Sequence, residues 1–413
     1  MNEPQLKHVV LDELATSSEH LNLDDITRQA LQQTKLVTVV PAPANRWMML
    51  PNGYVGAVQF GELLVEVRPK ERVGVSQLLF LLSYAKDPGF RPENVEASST
   101  NDLWPAMGET FARLSEQAIA QGVLHGYRSV DDSERTLRGR IRMSDQLARH
   151  PGMMFPLEVT YDEFTTDIPE NRILKAATYR LLLLPGLGAD VRQRLERVAS
   201  RLAEVSPLAA GVGRPAWQPT RRNSRYIPAL RIAELVLENL VAEARHGRLR
   251  VAAFVVNMAK VFEDFISIAL AQALTQFDVA PQTQVGYKLD APRMDGASRV
   301  DIRPDIVLMR DRAPVLALDA KYKAESSSGQ HANADYYQML AYATALGLGH
   351  IWLVYAGKGE PLSRRIINSG VCIHEYPLDL SSAPQQVLTR IHDLALTCMR
   401  TLNAPHAAAI STA

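Results

Sequence analysis

Two aspartates and a lysine stand where a hydrolytic metal site would need them. The segment Arg303-Pro304-Asp305-Ile306-Val307-Leu308 is followed by Leu318-Asp319-Ala320-Lys321. Read as hairpin strands with the turn centred on Arg312, the segment sets residues equidistant from Arg312 opposite one another. Asp305 and Asp319 are such a pair, so their Cβ atoms fall about 4.5–5.5 Å apart on one face. Lys321, two residues past Asp319, points to the same face. Carboxylates this close repel, and both ionise only with a cation between them. A ligand set made of oxygens suits Mg²⁺ or Mn²⁺ and not zinc. Such an ion acidifies bound water and neutralises phosphoryl oxygen. A neighbouring lysine can orient the water and meet the charge of the transition state. The chemistry such a set would serve is metal-assisted hydrolysis.

The flanks favour a site over a surface hairpin carrying an Asp–Lys pair. Ile306, Leu308, Leu316 and Leu318 fill the opposite face, while Val307, Val315 and Ala317 share the acidic one. Charges in such apolar strands are costly unless they serve a function. Two helices add to the pattern. In the helix expected near 335–346, Gln338 and Tyr342 lie one turn apart on one face. An apolar helix expected from about 252 to 276 carries Glu263, a third carboxylate. By periodicity alone Glu263 serves equally as a solvated position, and the Gln338 helix as an ordinary amphipathic one.

The elements that must position these residues are those of a mixed α/β protein. Strands are expected through 35–70, with turns at Pro51-Asn52-Gly53 and at Phe60-Gly61-Glu62. Helices follow at 75–85, 103–122, 170–184, 190–204 and 228–245, with a basic strand at 136–142. After 285 the hydrophobic period changes to two, giving a β-β-β-α-β order that ends in a strand at 351–356. Residues 211–219 carry Gly, Pro and Arg without periodicity and read as a linker. The expected organisation is therefore an unassigned extension over 1–30, a β-rich and helical region over 31–215, and an α/β domain over 216–413.

Composition narrows the class. The chain has 413 residues, with 45 basic against 45 acidic side chains, so bulk charge gives no sign of nucleic acid. Locally, residues 214–250 hold eight arginines against three glutamates. Two cysteines exclude a disulfide scaffold and a four-cysteine zinc or iron–sulfur site. The acid-rich N-terminus is no signal peptide, and no apolar run is long enough to span a membrane. A cytoplasmic protein without a membrane role is expected. No G-x-x-x-x-G-K-[ST] occurs, so no nucleotide is expected on this chain.

Asp305, Asp319-Ala320-Lys321, the upstream Glu263 and the downstream Gln338…Tyr342 together resemble the PD-(D/E)xK nuclease superfamily. More narrowly, the chain is similar to the McrC family, nuclease subunits of the McrBC modified-cytosine restriction system. The words that carry this likeness beyond residue 45 are Val55-Gly56-Ala57-Val58, Val65-Glu66-Val67-Arg68-Pro69-Lys70 and Leu137-Arg138-Gly139-Arg140-Ile141. Tyr161-Asp162-Glu163-Phe164 with Asp167, Asn171-Arg172-Ile173-Leu174-Lys175 and Asn257-Met258 to Phe262-Glu263 continue it in the same order. The resemblance implies a C-terminal restriction-endonuclease-like domain and an N-terminal region that docks on a hexameric AAA+ GTPase ring of McrB type. It implies double-stranded DNA with modified cytosine (5-methylcytosine) as target, and a partner that reads the base. In that frame Asp305 and Asp319 hold Mg²⁺ or Mn²⁺, with the Ala320 carbonyl as a further ligand and Glu263 completing the shell directly or through water. Lys321 orients the attacking water, and Gln338 positions DNA or Lys321. One such hairpin serves one strand, so double-strand cleavage calls for a second nuclease copy. A different PD-(D/E)xK nuclease acting alone, and a non-catalytic regulator of a GTPase ring, remain as alternatives. Arg138, Arg140 and Arg142 are expected on one face of the basic strand, facing a partner or phosphate, or protecting a sheet edge.

Overall fold

The computed structural model describes residues 7–13, 20–70, 73–95, 102–184, 186–208, 213–244, 250–291, 298–322 and 333–403. The chain opens with β1 (Lys7–Asp12), α1 (Asp25–Gln33), β2 (Val37–Ala42), β3 (Arg46–Pro51), β4 (Tyr54–Phe60), β5 (Leu63–Arg68) and α2 (Val75–Tyr84). It continues with α3 (Leu103–Ile119), β6 (Gly126–Glu134), β7 (Arg140–Ile141), α4 (Met143–Arg149), β8 (Leu157–Thr165), α5 (Pro169–Leu182), α6 (Ala189–Arg201) and α7 (Ile227–Asn239). Then come β9 (Leu240–Ala244), β10 (Arg250–Asn257), α8 (Met258–Leu274), β11 (Ala280–Thr283), β12 (Tyr287–Lys288), β13 (Asp301–Ile302), β14 (Ile306–Arg310) and β15 (Ala313–Lys321). The last elements are α9 (Asn333–Leu346), β16 (His350–Ala356), β17 (Leu362–Arg365), β18 (Cys372–Leu378) and α10 (Pro384–Asn403). The mixed α/β class read from the sequence is the one observed.

Two compact units form, one of Met1–Leu103 with Glu243–Ala413 and one of Trp104–Ala242. The boundary expected at 215–216 falls inside the second. The reason is pairing: β10, from the C-terminal half, runs antiparallel to β4 and joins the first sheet, ordered β1-β5-β4-β10-β9. Residues 7–12, assigned no role from the sequence, pair in parallel with β5. The expected helix over 252–276 is thus a strand up to Asn257, whose side chain caps α8 by accepting from the Lys260 N–H. The β-branched and aromatic run Val251 to Val256 prefers the pleated ladder. The Asn52-Gly53 turn links strands of two different sheets, whereas Gly61-Glu62 closes the β4–β5 hairpin.

Gly56 sits in β4 opposite Val255 with φ of +143°, and a Cβ there would lie 1.9 Å from the Phe254 carbonyl oxygen. Only glycine lets the two backbones approach this closely. Gly56→Ala is expected to lower stability by about 1–3 kcal/mol or more, through overpacking against backbone that cannot yield. Chemical denaturation measures it, and an unchanged midpoint would refute the close approach.

The second large sheet runs β11-β14-β15-β16-β18-β17, with β15, β16 and β18 parallel and antiparallel strands at both sides. Helix α9 crosses from β15 to β16, and Met339, Tyr342 and Ala343 pack on Val307, Ala317, Ile351, Leu353 and Ile373. On α8, Phe265 meets Phe80 and Tyr84 of α2 at ring separations of 6.1 and 5.6 Å. Phe262, on the same helix, meets Tyr322 at 6.1 Å. Helix α8 thereby joins α2 to Tyr322, just past the end of β15. Among the described residues, no helix is long and apolar enough to cross a membrane.

In the second unit, α5 buries Ile173, Leu174, Ala177 and Leu181 as it packs with α6 and α7. Beside it, β6 and β8 form a long antiparallel ladder. The basic segment here is not the strand expected over 136–142. Gly139, at φ of +68°, breaks the alternation and leaves a two-residue strand. Arg142 turns inward, pairing with Asp145 and donating to the buried Glu158 at 2.9 Å, while Arg138 lies over the Tyr161 ring at 3.9 Å. The three arginines therefore do not share one face. The expected linker is not one either. Residues 209–212 lie outside the described ones, and past them Arg214 pairs with Glu238 and Glu234 while Trp217 donates to Glu234. Arg231 pairs with Glu234 as well, so two of the segment's arginines are held by its own glutamates.

Candidate active site

The aspartates meet because of where their strands end. Asp305 precedes β14 in the loop Arg303-Pro304-Asp305, and Asp319 is the penultimate residue but one of β15. The ladder pairs Ile306 with Leu318 and Val307 with Ala317, so its register continues to Asp305 opposite Asp319, as expected from the sequence. The turn itself is different. Its residues are Asp311 and Arg312, both at positive φ, with Arg310 paired to Ala313. Half a residue of displacement is absorbed by a bulge, where Leu308 pairs with Leu316 but Met309 with Pro314. The extra residue in β15 restores the alignment at the functional end.

The Asp305 carboxylate (Oδ2) accepts a hydrogen bond from the Ala320 N–H at 2.8 Å. In a strand the N–H and C=O of one residue leave by the same edge. The Ala320 carbonyl therefore points to the side where Asp305 lies, past the end of the β14 ladder. Asp319 is 1% exposed. Burial first, and then the charge of Asp305, push its pKa up to about 7, against the pull of Lys321. Asp305 is also raised, mainly by burial and in spite of the Ala320 N–H and Lys321. The Lys321 ammonium forms an ion pair with Asp319 Oδ2. Burial lowers the Lys321 pKa, but Asp319 and Asp305 outweigh it and the net shift is upward. Asp319 Oδ2 is buried and makes no hydrogen bond of normal geometry. Two adjoining acids, both buried and reluctant to ionise, with only one ammonium against them, are a donor set suited to a hard divalent cation.

Glu263 lies on the first turns of α8, half-buried, with its pKa raised by burial and then by Asp305, and lowered by Lys321. It faces the aspartate pair electrostatically. Yet Glu263, Asp305 and Asp319 do not bring one oxygen each within 4.8 Å of one another among the described residues. Gln338 donates to Tyr342 Oη at 2.6 Å and makes no hydrogen bond to Lys321 among the described residues. Tyr342 in turn donates to the Arg303 carbonyl at 3.3 Å, tying α9 to the loop that carries Asp305. Tyr342 thus anchors the loop beside Asp305 as well as packing its own helix on the sheet.

Three further groups were not legible as part of the site. The Gln284 N–H donates to the Asp305 carbonyl at 2.9 Å, and Arg303 Nε donates to the Gln284 carbonyl at 2.8 Å, fixing the loop from the β11 side. Tyr322, next to Lys321, donates to Glu13 Oε2 at 2.9 Å. Lys70 lies over the Tyr322 ring at 4.7 Å and donates to the Ala356 carbonyl at 3.2 Å. Burial raises the Glu13 pKa, although Tyr322 and Lys70 oppose it. Tyr322 and Glu13 lie 309 residues apart and Lys70 and Ala356 lie 286 apart, so no local pattern could have linked them.

Comparison with known proteins bears on this geometry. No curated protein matches the chain. One solved structure with a similar fold is the refined half-complex from the tetradecameric assembly of Thermococcus gammatolerans McrB AAA+ hexamers with bound McrC. It aligns at TM-score 0.63 and 18% identity, covering 95% of this chain and 100% of that one. The cryo-EM structure of the Thermococcus gammatolerans McrBC complex aligns at TM-score 0.44 and 18% identity, over 66% of this chain and 89% of that one. The family described as McrBC 5-methylcytosine restriction system component matches residues 50–356, a span holding every strand of the first sheet but β1, the whole second unit and the aspartate pair. The chain belongs to that McrBC restriction-system family.

Proposed function

We propose that this chain is the metal-dependent DNA endonuclease subunit of a modification-dependent restriction complex, working when docked on an AAA+ GTPase ring and stimulating its hydrolysis. The observation that carries the reading is the junction of Asp305, Asp319 and Lys321 at the end of one hairpin, with two buried acids whose pKa values are raised. Asp305 and Asp319 would hold Mg²⁺ or Mn²⁺, with the Ala320 carbonyl on the same strand edge and Glu263 adding negative charge. When bound, the ion supplies an activated water and neutralises a phosphate oxygen. Lys321 orients that water and stabilises the negative charge that builds on the phosphoryl group. Tyr342 and Gln284 keep the Asp305 loop in place, and Gln338 acts through Tyr342.

Support for a ring partner comes from the family, from the McrB hexamers present in the similar structure, and from the lack of a P-loop in this sequence. With no net positive charge, the chain alone holds DNA weakly at physiological salt. Cleavage of both strands takes a second nuclease copy brought by a second assembly.

The test is co-purification with an AAA+ GTPase of McrB type, followed by cleavage of plasmids with and without 5-methylcytosine, with GTP or ATP. Nucleotide-dependent cutting of modified DNA is expected with Mg²⁺ or Mn²⁺, binding without cutting in Ca²⁺, and none in excess EDTA. Oxygen sites accept Ca²⁺, but its looser geometry activates water poorly. Rapid double-strand cutting by the lone chain without nucleotide would favour a free-standing nuclease. GTPase stimulation with no cutting under any metal would leave a regulator.

A further inference from the structure

A second cluster of metal-ligating side chains lies away from the aspartate pair. Asp319 and Lys321 are near the C-terminal end of β15, whose register partners are Leu353 and Tyr355 of β16. His350 is instead the first residue of β16, at the opposite end of the parallel strands, and pairs in register with Cys372 of β18. His374 follows Cys372 by two residues, so both project to the same face. His350, Cys372 and His374 bring one ligand atom each within 4.8 Å of one another, the one such group of three among the described residues. His350 Nδ1 and His374 Nε2 lie 2.9 Å apart.

We propose that His350, Cys372 and His374 form a zinc site, with a fourth position open to water or to a ligand from another molecule. Two imidazoles and a thiolate are the donors that borderline-soft divalent ions select, unlike the all-oxygen set at Asp305 and Asp319. Nitrogen ligands at about 2.0–2.1 Å and sulfur at about 2.3 Å put tetrahedral ligand atoms roughly 3.3–3.8 Å apart. The present spacing needs only side-chain adjustment to meet this. The surroundings supply what such sites carry outside the ligands. Ser363 Oγ, on β17, lies 2.8 Å from His374 Nδ1, the ring nitrogen turned away from the cluster. A hydroxyl there can accept from Nδ1–H, the arrangement in which Nε2 carries the lone pair that binds an ion. Trp352 stacks on the His374 ring at 4.5 Å and holds its orientation. Burial raises the pKa of the Cys372 thiol, with Arg365, its register partner, pulling the other way, so an ion binding here must displace the thiol proton. An ion here links β16 to β18, and through Ser363 to the edge strand β17, so it fastens the outer side of the nuclease sheet.

The experiment uses the full-length chain, stripped with EDTA, dialysed, and titrated with Co²⁺ in saturating Mg²⁺. A single Co²⁺ per chain is expected to give a thiolate-to-cobalt charge-transfer band in the near ultraviolet, removed by one equivalent of Zn²⁺. Cobalt held by Asp305 and Asp319 has no sulfur ligand and cannot give that band. Cys372→Ser should abolish it. His374→Ala and His350→Ala should each weaken Zn²⁺ binding by about a hundredfold or more, and Ser363→Ala by about tenfold to a hundredfold. The wild-type titration decides the matter even where a variant fails to fold. Absence of the band in the wild-type chain, or its persistence in Cys372→Ser, overturns the site.

Discussion

Asp319→Asn is expected to lower DNA cleavage by about a thousandfold or more, while the protein folds at least as well as the wild type. The rate effect follows from the proposed role. Removing a group that holds the ion costs several kcal/mol of transition-state stabilisation, and about 4 kcal/mol corresponds to a thousandfold. The stability effect follows from electrostatics. Asp319 is 1% exposed and its pKa is pushed up to about 7 by burial and then by Asp305. An unfolded aspartate ionises near 3.9. Between those values the unfolded chain has released a proton that the folded chain retains, so stability falls as pH rises through this window. Asparagine removes that opposition. The stability gain of the variant should therefore be absent at about pH 4, grow toward about pH 7 and then level off. Mg²⁺ affinity of the wild type should rise over the same range, because the ion must displace the proton. Cleavage assays with the partner ring, and denaturation at several pH values, check the two halves separately. Near-normal cleavage by the variant would remove Asp319 from the mechanism. A loss of stability at neutral pH would show that its charge is already compensated.

Asp167→Ala is expected to destabilise the second unit by about 3 kcal/mol, with the opposite dependence on pH. Asp167 is buried and accepts from Arg128 Nη1 at 2.6 Å, from Arg172 Nε at 2.7 Å, and from the Ser206 N–H and Oγ at 2.8 and 2.9 Å. Arg172, with the Ser206 contacts behind it, holds the carboxyl well below the usual carboxylate range against the effect of burial. Truncation would leave the Arg172 guanidinium and the Ser206 N–H without their acceptor and Arg128 with Glu163 alone, the costly way of breaking a buried pair. Both arginines keep some exposure, so the estimate stands at the low end of that class. A depressed pKa in the folded state means that the stabilisation is fully present above about pH 4 and is lost as pH falls below it. The difference between wild type and variant should thus be constant from about pH 5 upward and shrink in acid. A midpoint unchanged by the substitution, or a gap that widens in acid, would contradict the role given to Asp167.

Much of the candidate site was legible because it is local. Asp305, Asp319 and Lys321 lie within one hairpin, and strand alternation alone places them on one face. The apolar periods of α5, α6 and α9, and the β4–β5 hairpin, were legible for the same reason: each is governed by neighbours a few residues away. What tertiary structure decided is where partners are distant. An apolar run from 252 does not state whether it is helix or strand, and the vacant edge of β4 made its first part a strand. Gly139 and the pull of buried Glu158 on Arg142 overrode an alternating pattern that sequence reading took as one basic face. The domain boundary moved because β10 returns to pair with β4, almost two hundred residues earlier in the chain. Tyr322 found Glu13, and Tyr342 found the Arg303 carbonyl, only once the strands and helices had packed. Side-chain chemistry and short-range period are written in the sequence itself. Which buried donor meets which acceptor is settled by the fold, because leaving either unpaired away from water costs more than any local preference supplies.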